Sequence, residues 1–359
     1  MNFSHVHLYV DDAPTWHRWF VDFLGFAPAH KRQFTPFLNH PQTQTMAVCS
    51  GHICIVLSSP LGRDSPVANY LQRHPSGVAD MAFRVDDLDR VLASATAQGA
   101  ALLRPVTAAV IDGGSCRWAC VSGWGDLRHT LIESPDLPPS SAALPQPSAH
   151  INAIDHAVLN VSQGEMAIAT SWYEAAFGLR RHQAFTIQTK HSALYSQVLK
   201  HPDGDLQLPI NEPTSPTSQI QEFLTVNRGA GIQHIALRTS DIVATVCRLR
   251  QQGVSFLTVP KTYYETLPQR SGFSLSPSRQ EAIAEQQILV DWPAGQPHTL
   301  LLQTFTQPIF SEPTFFFELI QRQTYDLGGV PQYAQGFGEG NFQALFEAME
   351  REQLQRGSL

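Results

Sequence analysis

Charge is scarce in this chain. Asp, Glu, Lys and Arg make up 15% of its 359 residues, the formal net charge is −7, and lysine and arginine form no cluster. Nucleic acids and anionic membranes are recognised through dense positive patches, so neither is an expected partner. Also missing is any apolar run approaching bilayer length. The amino end, Met1-Asn-Phe-Ser-His-Val-His-Leu-Tyr-Val10, has neither a basic stretch followed by an apolar core nor an Arg-rich amphipathic pattern. The cytoplasm is therefore the expected location. Cysteine is sparse as well: Cys49, Cys54, Cys116, Cys120 and Cys247 contain no CxxC spacing, which argues against a zinc knuckle or redox motif and leads us to expect reduced, mostly buried thiols. What is present is a 43% hydrophobic composition in a chain long enough for two domains with their own cores. Small-molecule chemistry is the working class.

The chain repeats itself. Phe3-Ser-His-Val-His-Leu-Tyr-Val10 reads as a strand, followed by a helix in which Trp16, Trp19, Phe20, Phe23 and Leu24 recur at helical spacing until Gly25. Ile154 to Val161 and Trp172 to Leu179 repeat that unit, Trp172 matching Trp19 at an offset of 153. Gly77 to Leu88 matches Gly231 to Ile242 at an offset of 154. Strands and helices duplicated in β-α-β order imply two similar domains. We expect an α+β fold with a first domain over 1–135, a Pro- and Ser-rich linker over 136–150 and a second domain over 151–359. Tyr263 to Glu285 is an insertion with no counterpart in the first half. Phe342, Leu345, Phe346 and Met349 form one apolar stripe on a terminal helix.

One carboxylate sits in an unexpected place. Thr314-Phe-Phe-Phe-Glu-Leu-Ile-Gln-Arg322 reads as an apolar strand with Glu318 at its middle. An ionised carboxylate is costly to bury alone, so Glu318 points either at solvent or at a cation. His156 lies in the first strand of the second half and His234 in the strand that repeats Asp80. If each repeated module curls into half of a cup, His156, His234 and Glu318 meet on one wall. Two imidazoles and a carboxylate on one face of a metal leave three coordination positions open, as in non-haem Fe(II) oxygenases.

Several motifs in the second half make the chain recognisable: Asp155-His-Ala-Val, Leu208-Pro-Ile-Asn-Glu-Pro213, Ser218-Gln-Ile-Gln221, Gly229 to Leu237, Thr262-Tyr-Tyr264, Phe317 to Arg322 and Gly336-Phe-Gly-Glu-Gly-Asn-Phe342. In these it resembles the 4-hydroxyphenylpyruvate dioxygenase family of the vicinal oxygen chelate superfamily. The resemblance implies duplicated βαβββ modules forming two open barrels, with the C-terminal helix over the active site. It implies Fe(II) held by His156, His234 and Glu318, with no catalytic residues beyond these ligands. Ser196, Asn211, Gln219, Gln233 and Gln303 would be polar groups of the substrate pocket, Pro209 would shape it, Phe305, Phe316, Phe337 and Phe342 would wall it, and Asn341 would anchor the terminal segment. Gln233 neighbours His234 and should face the other way in a regular strand. Phe315 and Phe317 should likewise face away from Glu318, into packing.

The implied reaction converts 4-hydroxyphenylpyruvate and O2 to homogentisate and CO2, a step of tyrosine catabolism. A homo-oligomer, dimer or tetramer, is expected, with a non-catalytic first domain. His5, Asp80 and Glu133 stand opposite the three ligands in the first half as a degenerate duplicate. Alternatives are hydroxymandelate synthase, which oxidises the benzylic carbon of the same substrate, a metal-free binding protein of the same fold, and a zinc or nickel isomerase of glyoxalase type. Thr324 to Gln335 and Thr304 depart from the family pattern, while Phe305, Pro209 and Asn211 favour ring attack.

Overall fold

A computed structural model of the chain describes residues 1–29, 40–111, 114–134, 150–189, 192–293, 295–296, 298–327 and 330–357. The sequence repeat becomes two eight-stranded sheets with the same strand order. In the first, β1 (Asn2–Tyr9) and β5 (Gly77–Arg84) run antiparallel at the centre. From β1 extend β4 (Ile53–Pro60), β3 (Thr43–Ser50) and β2 (Ala27–Pro28); from β5 extend β8 (Arg128–Glu133), β7 (Gly114–Ser122) and β6 (Leu102–Ile111). The second sheet is built alike on β9 (Ile151–Asn160) and β13 (Gly231–Thr239). Beyond β9 lie β12 (Gln207–Pro213), β11 (Ala193–Lys200) and β10 (Arg180–Gln188), and beyond β13 lie β16 (Phe316–Arg322), β15 (Leu301–Phe305) and β14 (Leu289–Asp291). Each sheet is a pair of βαβββ modules curled into an open half-barrel, so the fold is α+β as the repeat implies.

The helices begin and end where local chemistry dictates. The first half carries α1 (Ala13–Asp22), α2 (Pro66–Arg73) and α3 (Leu88–Ala97); the second carries α4 (Met166–Phe177), α5 (Gln219–Asn227) and α6 (Ile242–Gln251). Asp87 accepts from the backbone N–H of Arg90 to cap α3, and Asp241 accepts from that of Ala244 to cap α6. Each cap is worth about 1 kcal/mol. Gly178 closes α4 at φ 69°, and Gly25 stands in the same place after α1 at φ 72°, a left-handed turn that favours glycine. The insertion forms α7 (Lys261–Thr266) and α8 (Pro277–Glu285), and the chain closes with α9 (Glu339–Arg356). Ahead of α9, β17 (Thr324–Leu327) and β18 (Val330–Tyr333) pair antiparallel.

One apolar core is continuous between the halves. Phe20 of α1 meets Phe317 of β16 at 5.9 Å and Phe83 of β5 meets Phe177 of α4 at 5.8 Å, ring centre to ring centre. Burying such a side chain contributes about 1.5–3 kcal/mol. Phe315 packs on Phe310 and Phe317, so both phenylalanines beside Phe316 do turn into packing. Between the sheets, His129 Nε2 accepts from the Tyr173 hydroxyl at 3.0 Å while its Nδ1 donates to the Met81 carbonyl at 3.1 Å.

The thiols differ from expectation. Cys49 and Cys54 face each other across the β3–β4 hairpin and are joined by a disulfide, because register places them directly opposite, while Cys116, Cys120 and Cys247 are free. The expected linker at 136–150 lies, apart from His150, outside the described residues. Among the described residues no helix is long and apolar enough to cross a membrane.

Candidate metal centre and substrate pocket

Strand register assembles the site. β13 lies between β9 and β16, with Ala236 opposite both His156 and Glu318. His234, two residues before Ala236, shares its face. The three side chains are buried, His156 and Glu318 fully and His234 to within 1%. One ligand atom from each lies within 4.8 Å of the others. Glu318 Oε2 is 3.3 Å from His156 Nε2 and 3.6 Å from His234 Nε2, and none of these three atoms has a hydrogen-bond partner. Buried polar atoms are ordinarily hydrogen-bonded, so three ligand atoms that lack a hydrogen bond and converge on one point fit a cation. Among the described residues no other His, Cys, Asp or Glu cluster has this geometry.

Electrostatics within the trio are strong. Burial works to raise the Glu318 carboxyl, but His156 and His234 outweigh it and hold the group down to about 2. Burial alone would lower His156, yet Glu318 and Asp155 lift it to about 9. His234 is lowered, chiefly by burial.

Each ligand is oriented from behind. His156 Nδ1 donates to Asp155 Oδ1 at 3.0 Å, which leaves its Nε2 lone pair facing the centre. Asp155 is the extra residue of a bulge, since His156 pairs with Ala236 and Ile154 with Leu237, and this explains why two adjacent side chains reach each other. Asp155 is fully buried and also accepts from Arg322 at 2.7 and 2.8 Å and from Arg238 at 3.0 and 3.1 Å. Burial works to raise its carboxyl, but Arg322, and after it His156, overcome that effect and hold it well below the usual range. Gln233 Oε1 lies 3.3 Å from His234 Nδ1, and Gln303 Nε2 donates to Glu318 Oε1 at 2.8 Å. Gln233 was expected to point away in a regular strand. It is itself a bulge residue, skipped between the pairs Ile232–Leu159 and His234–Val158, and this frees it from strict alternation.

Three of the anticipated aromatic residues stand against the ligands. Phe316 stacks on His234 at 4.8 Å, Phe305 meets His234 edge-on at 6.4 Å, and Phe337 meets His156 edge-on at 5.1 Å. Phe342 packs on Phe185 at 5.3 Å. Asn341 Nδ2 donates to Gln303 Oε1 at 2.7 Å, tying α9 to the residue that holds Glu318. Gln219 Nε2 donates to the Phe346 carbonyl of α9 at 2.8 Å, leaving its Oε1 unpaired. Pro209 and Asn211 share a face of β12, and Asn211 lies opposite Ser196, whose buried hydroxyl has no partner. Phe337 also lines a cavity of about 370 Å³ at the first turn of α9, beside Arg270, Asp291 and Gly340.

Three residues escaped the sequence reading. Asp155 and Arg322 stand in the recognised motifs but had no role until the bulge brought the carboxylate behind His156. Asn160 lies four residues after His156 on the same face of β9, opposite Asn211; it is fully buried, and neither its Nδ2 nor its Oδ1 has a partner. Strand parity with His156 is the signal that could have found it.

The first half departs from the expected duplicate. Asp80 lies opposite Arg128 as His234 lies opposite Phe316, so the counterpart of Glu318 is Thr130, two residues past Arg128. Thr130 binds Asp80 through its backbone N–H at 3.0 Å and its hydroxyl at 2.6 Å. Glu133 instead pairs with Arg117 at 3.1 Å and accepts from the Leu88 N–H at 3.0 Å.

Known proteins resemble this chain along nearly its whole length. Residues 4–116 and 153–269 each match a family model of the Glyoxalase/Bleomycin resistance protein/Dioxygenase superfamily. The chain is 36% identical to a 4-hydroxyphenylpyruvate dioxygenase of Caenorhabditis briggsae over 99% of this chain and 93% of that one. A 4-hydroxyphenylpyruvate dioxygenase of Neurospora crassa is 40% identical over 81% of this chain and 73% of its own. Among solved structures, a mutant of 4-hydroxymandelate synthase from Streptomyces coelicolor superposes with a TM-score of 0.82 at 31% identity, covering 98% of both chains.

Proposed function

The chain belongs to the 4-hydroxyphenylpyruvate dioxygenase family of enzymes within the glyoxalase/dioxygenase superfamily, and from that premise we propose that it converts 4-hydroxyphenylpyruvate and O2 to homogentisate and CO2 with Fe(II) held by His156, His234 and Glu318. The observation that carries this reading is the set of three buried, unpartnered ligand atoms converging from three adjacent strands. Bound there, Fe(II) retains a net positive charge for chelation of a 2-oxo acid and supplies the redox chemistry that activates dioxygen.

The chain's own residues bind, orient and shield. Phe305, Phe316, Phe337 and Phe342 fix the plane of the aromatic ring, each contact adding about 0.5–1.5 kcal/mol beyond area burial. Ser196, Asn211 and Asn160 lie in one row across β11, β12 and β9 and supply unpaired or pairable polar groups toward the far end of the cup. Four residues of strand separate Asn160 from His156, about 13 Å along the chain, a span suited to an arylpyruvate anchored at the metal. Such groups favour a phenol hydroxyl, because leaving each unpaired costs about 1–3 kcal/mol. Gln303 and Gln233 steady the ligands, Gln219 and Asn341 hold α9 in place, and α9 excludes water from the reacting centre. Residues 151–359 act as the catalytic domain and residues 1–135 as its supporting duplicate. The active form is a homo-oligomer.

A second reading, hydroxylation of the benzylic carbon, is favoured by the likeness to 4-hydroxymandelate synthase. Phe305, Pro209 and Asn211 weigh toward ring attack. Anaerobic loading with Fe(II), followed by oxygen and 4-hydroxyphenylpyruvate, separates the two. Homogentisate is the expected product, hydroxymandelate would establish the second reading, and absence of oxygen uptake would refute both.

A further inference from the structure

The guanidinium of Arg322 serves two masters. Its Nε and Nη2 donate to the two oxygens of Asp155 at 2.8 and 2.7 Å, and Asp155 in turn accepts from His156 Nδ1. Its Nη1 donates to the carbonyls of Ala334 and Gly336 at 2.9 and 2.8 Å, in the segment that leads into α9. The Arg322 side chain is 7% exposed, so if that segment lifts away the Nη1 group loses both acceptors with little water to replace them. The guanidinium would then turn outward, and Asp155 would keep only Arg238 behind it. The same short segment touches the ligands twice more. The Phe337 ring lies against His156, and the Phe337 carbonyl accepts from Gln303, which holds Glu318.

We propose that Arg322 is a positioning residue that couples docking of the α9 lead-in to metal affinity, by sharing one guanidinium between the Asp155 carboxylate that orients His156 and the carbonyls of Ala334 and Gly336. The proposal rests on the metal reading given above. Coupling of this kind is reciprocal: a docked segment tightens the metal, and a bound metal tightens the segment. Arg238 pairs with the same carboxylate and, among the described residues, makes no hydrogen bond to the α9 lead-in, so it supports Asp155 without carrying the coupling. Asp291 acts from the other end, where its Oδ2 accepts from the Gly340 N–H in the first turn of α9.

The test uses the full chain with Co(II), an air-stable probe, and reads two quantities: Co(II) affinity by calorimetry and hydrogen exchange of the amides of residues 334–341 with and without metal. In the wild-type chain Co(II) slows exchange in that segment. Arg322→Lys should lower Co(II) affinity by about 10-fold or more, the range seen when an outer partner of a ligand is lost, and should abolish the metal-dependent slowing. Arg238→Lys should weaken the metal while keeping the slowing. Asp291→Ala, which removes the Gly340 contact at the segment together with the Arg270 ion pair, should speed exchange at 334–341 and also weaken Co(II). The proposal is overturned if Arg322→Lys binds Co(II) like the wild type, if metal still protects the segment in that variant, or if Asp291→Ala loosens the segment without changing affinity. Should Arg322→Lys not fold, the Asp291→Ala arm decides alone. A wild-type chain that binds neither Co(II) nor Fe(II) refutes the metal reading itself, an outcome distinct from loss of coupling.

Discussion

Replacing Asn160 by leucine should make the protein more stable and worse at its reaction. In the free chain the Asn160 side chain is fully buried and neither its donor nor its acceptor is paired. Each unpaired group costs about 1–3 kcal/mol, and a leucine of similar shape removes both. We therefore predict that Asn160→Leu stabilises the ligand-free chain by at least about 1 kcal/mol, a rise in Tm of about 1 °C or more. With substrate bound the sign reverses, because a phenol hydroxyl now faces a side chain that cannot bond it. The KM for 4-hydroxyphenylpyruvate should rise by about 10-fold or more, equivalent to about 1.4 kcal/mol, while that for phenylpyruvate changes little. Thermal unfolding of the metal-loaded chain and oxygen-uptake kinetics with both substrates measure these quantities. A variant less stable than the wild type, with the KM ratio of the two substrates unchanged, would sink the assignment of Asn160 to the pocket.

Two further outcomes follow from the same geometry. Glu318→Ala should abolish Co(II) and Fe(II) binding, by calorimetry, and oxygen uptake, while circular dichroism stays that of the wild type; undiminished uptake would refute Glu318 as a ligand. Burial lowers His129 from its ordinary 6.5 to about 4, and its bond to the Met81 carbonyl opposes this only in part. The unfolded chain therefore binds more protons than the folded one between those values, so this stability is full above pH 6.5 and is lost as pH falls toward 4, about 2 kcal/mol of it between pH 7 and 5. His129→Phe should flatten the fall in denaturant midpoint across that window, and an unchanged slope would count against it.

Much of this protein was legible before any fold was in hand. The offset near 153 between halves gave two like sheets, because duplicated sequence carries duplicated hydrophobic periods. Glu318 in an apolar strand asked for solvent or a cation, and strand parity set Phe316 on its face with Phe315 and Phe317 on the other. The terminal stripe from Phe342 to Met349 became part of α9. Sequence spacing determines such things because a strand's period of two and a helix's period of 3.6 are local properties of the backbone.

What spacing does not carry is how one strand registers against another. The bulges at Asp155 and Gln233 break the period of two, and only pairing of β9 with β13 reveals them. Register along β8 put Thr130, not Glu133, at the place of Glu318, and register across a hairpin set Cys49 opposite Cys54. The shared guanidinium of Arg322 depends on segments distant in sequence, Asp155 and Ala334, meeting at one point. The sequence by itself determined which side chains could bind a metal and that the chain is built twice. Tertiary structure alone decided which groups stand behind those ligands and which buried polar atoms were left without partners, because those depend on contacts between strands that no local period encodes.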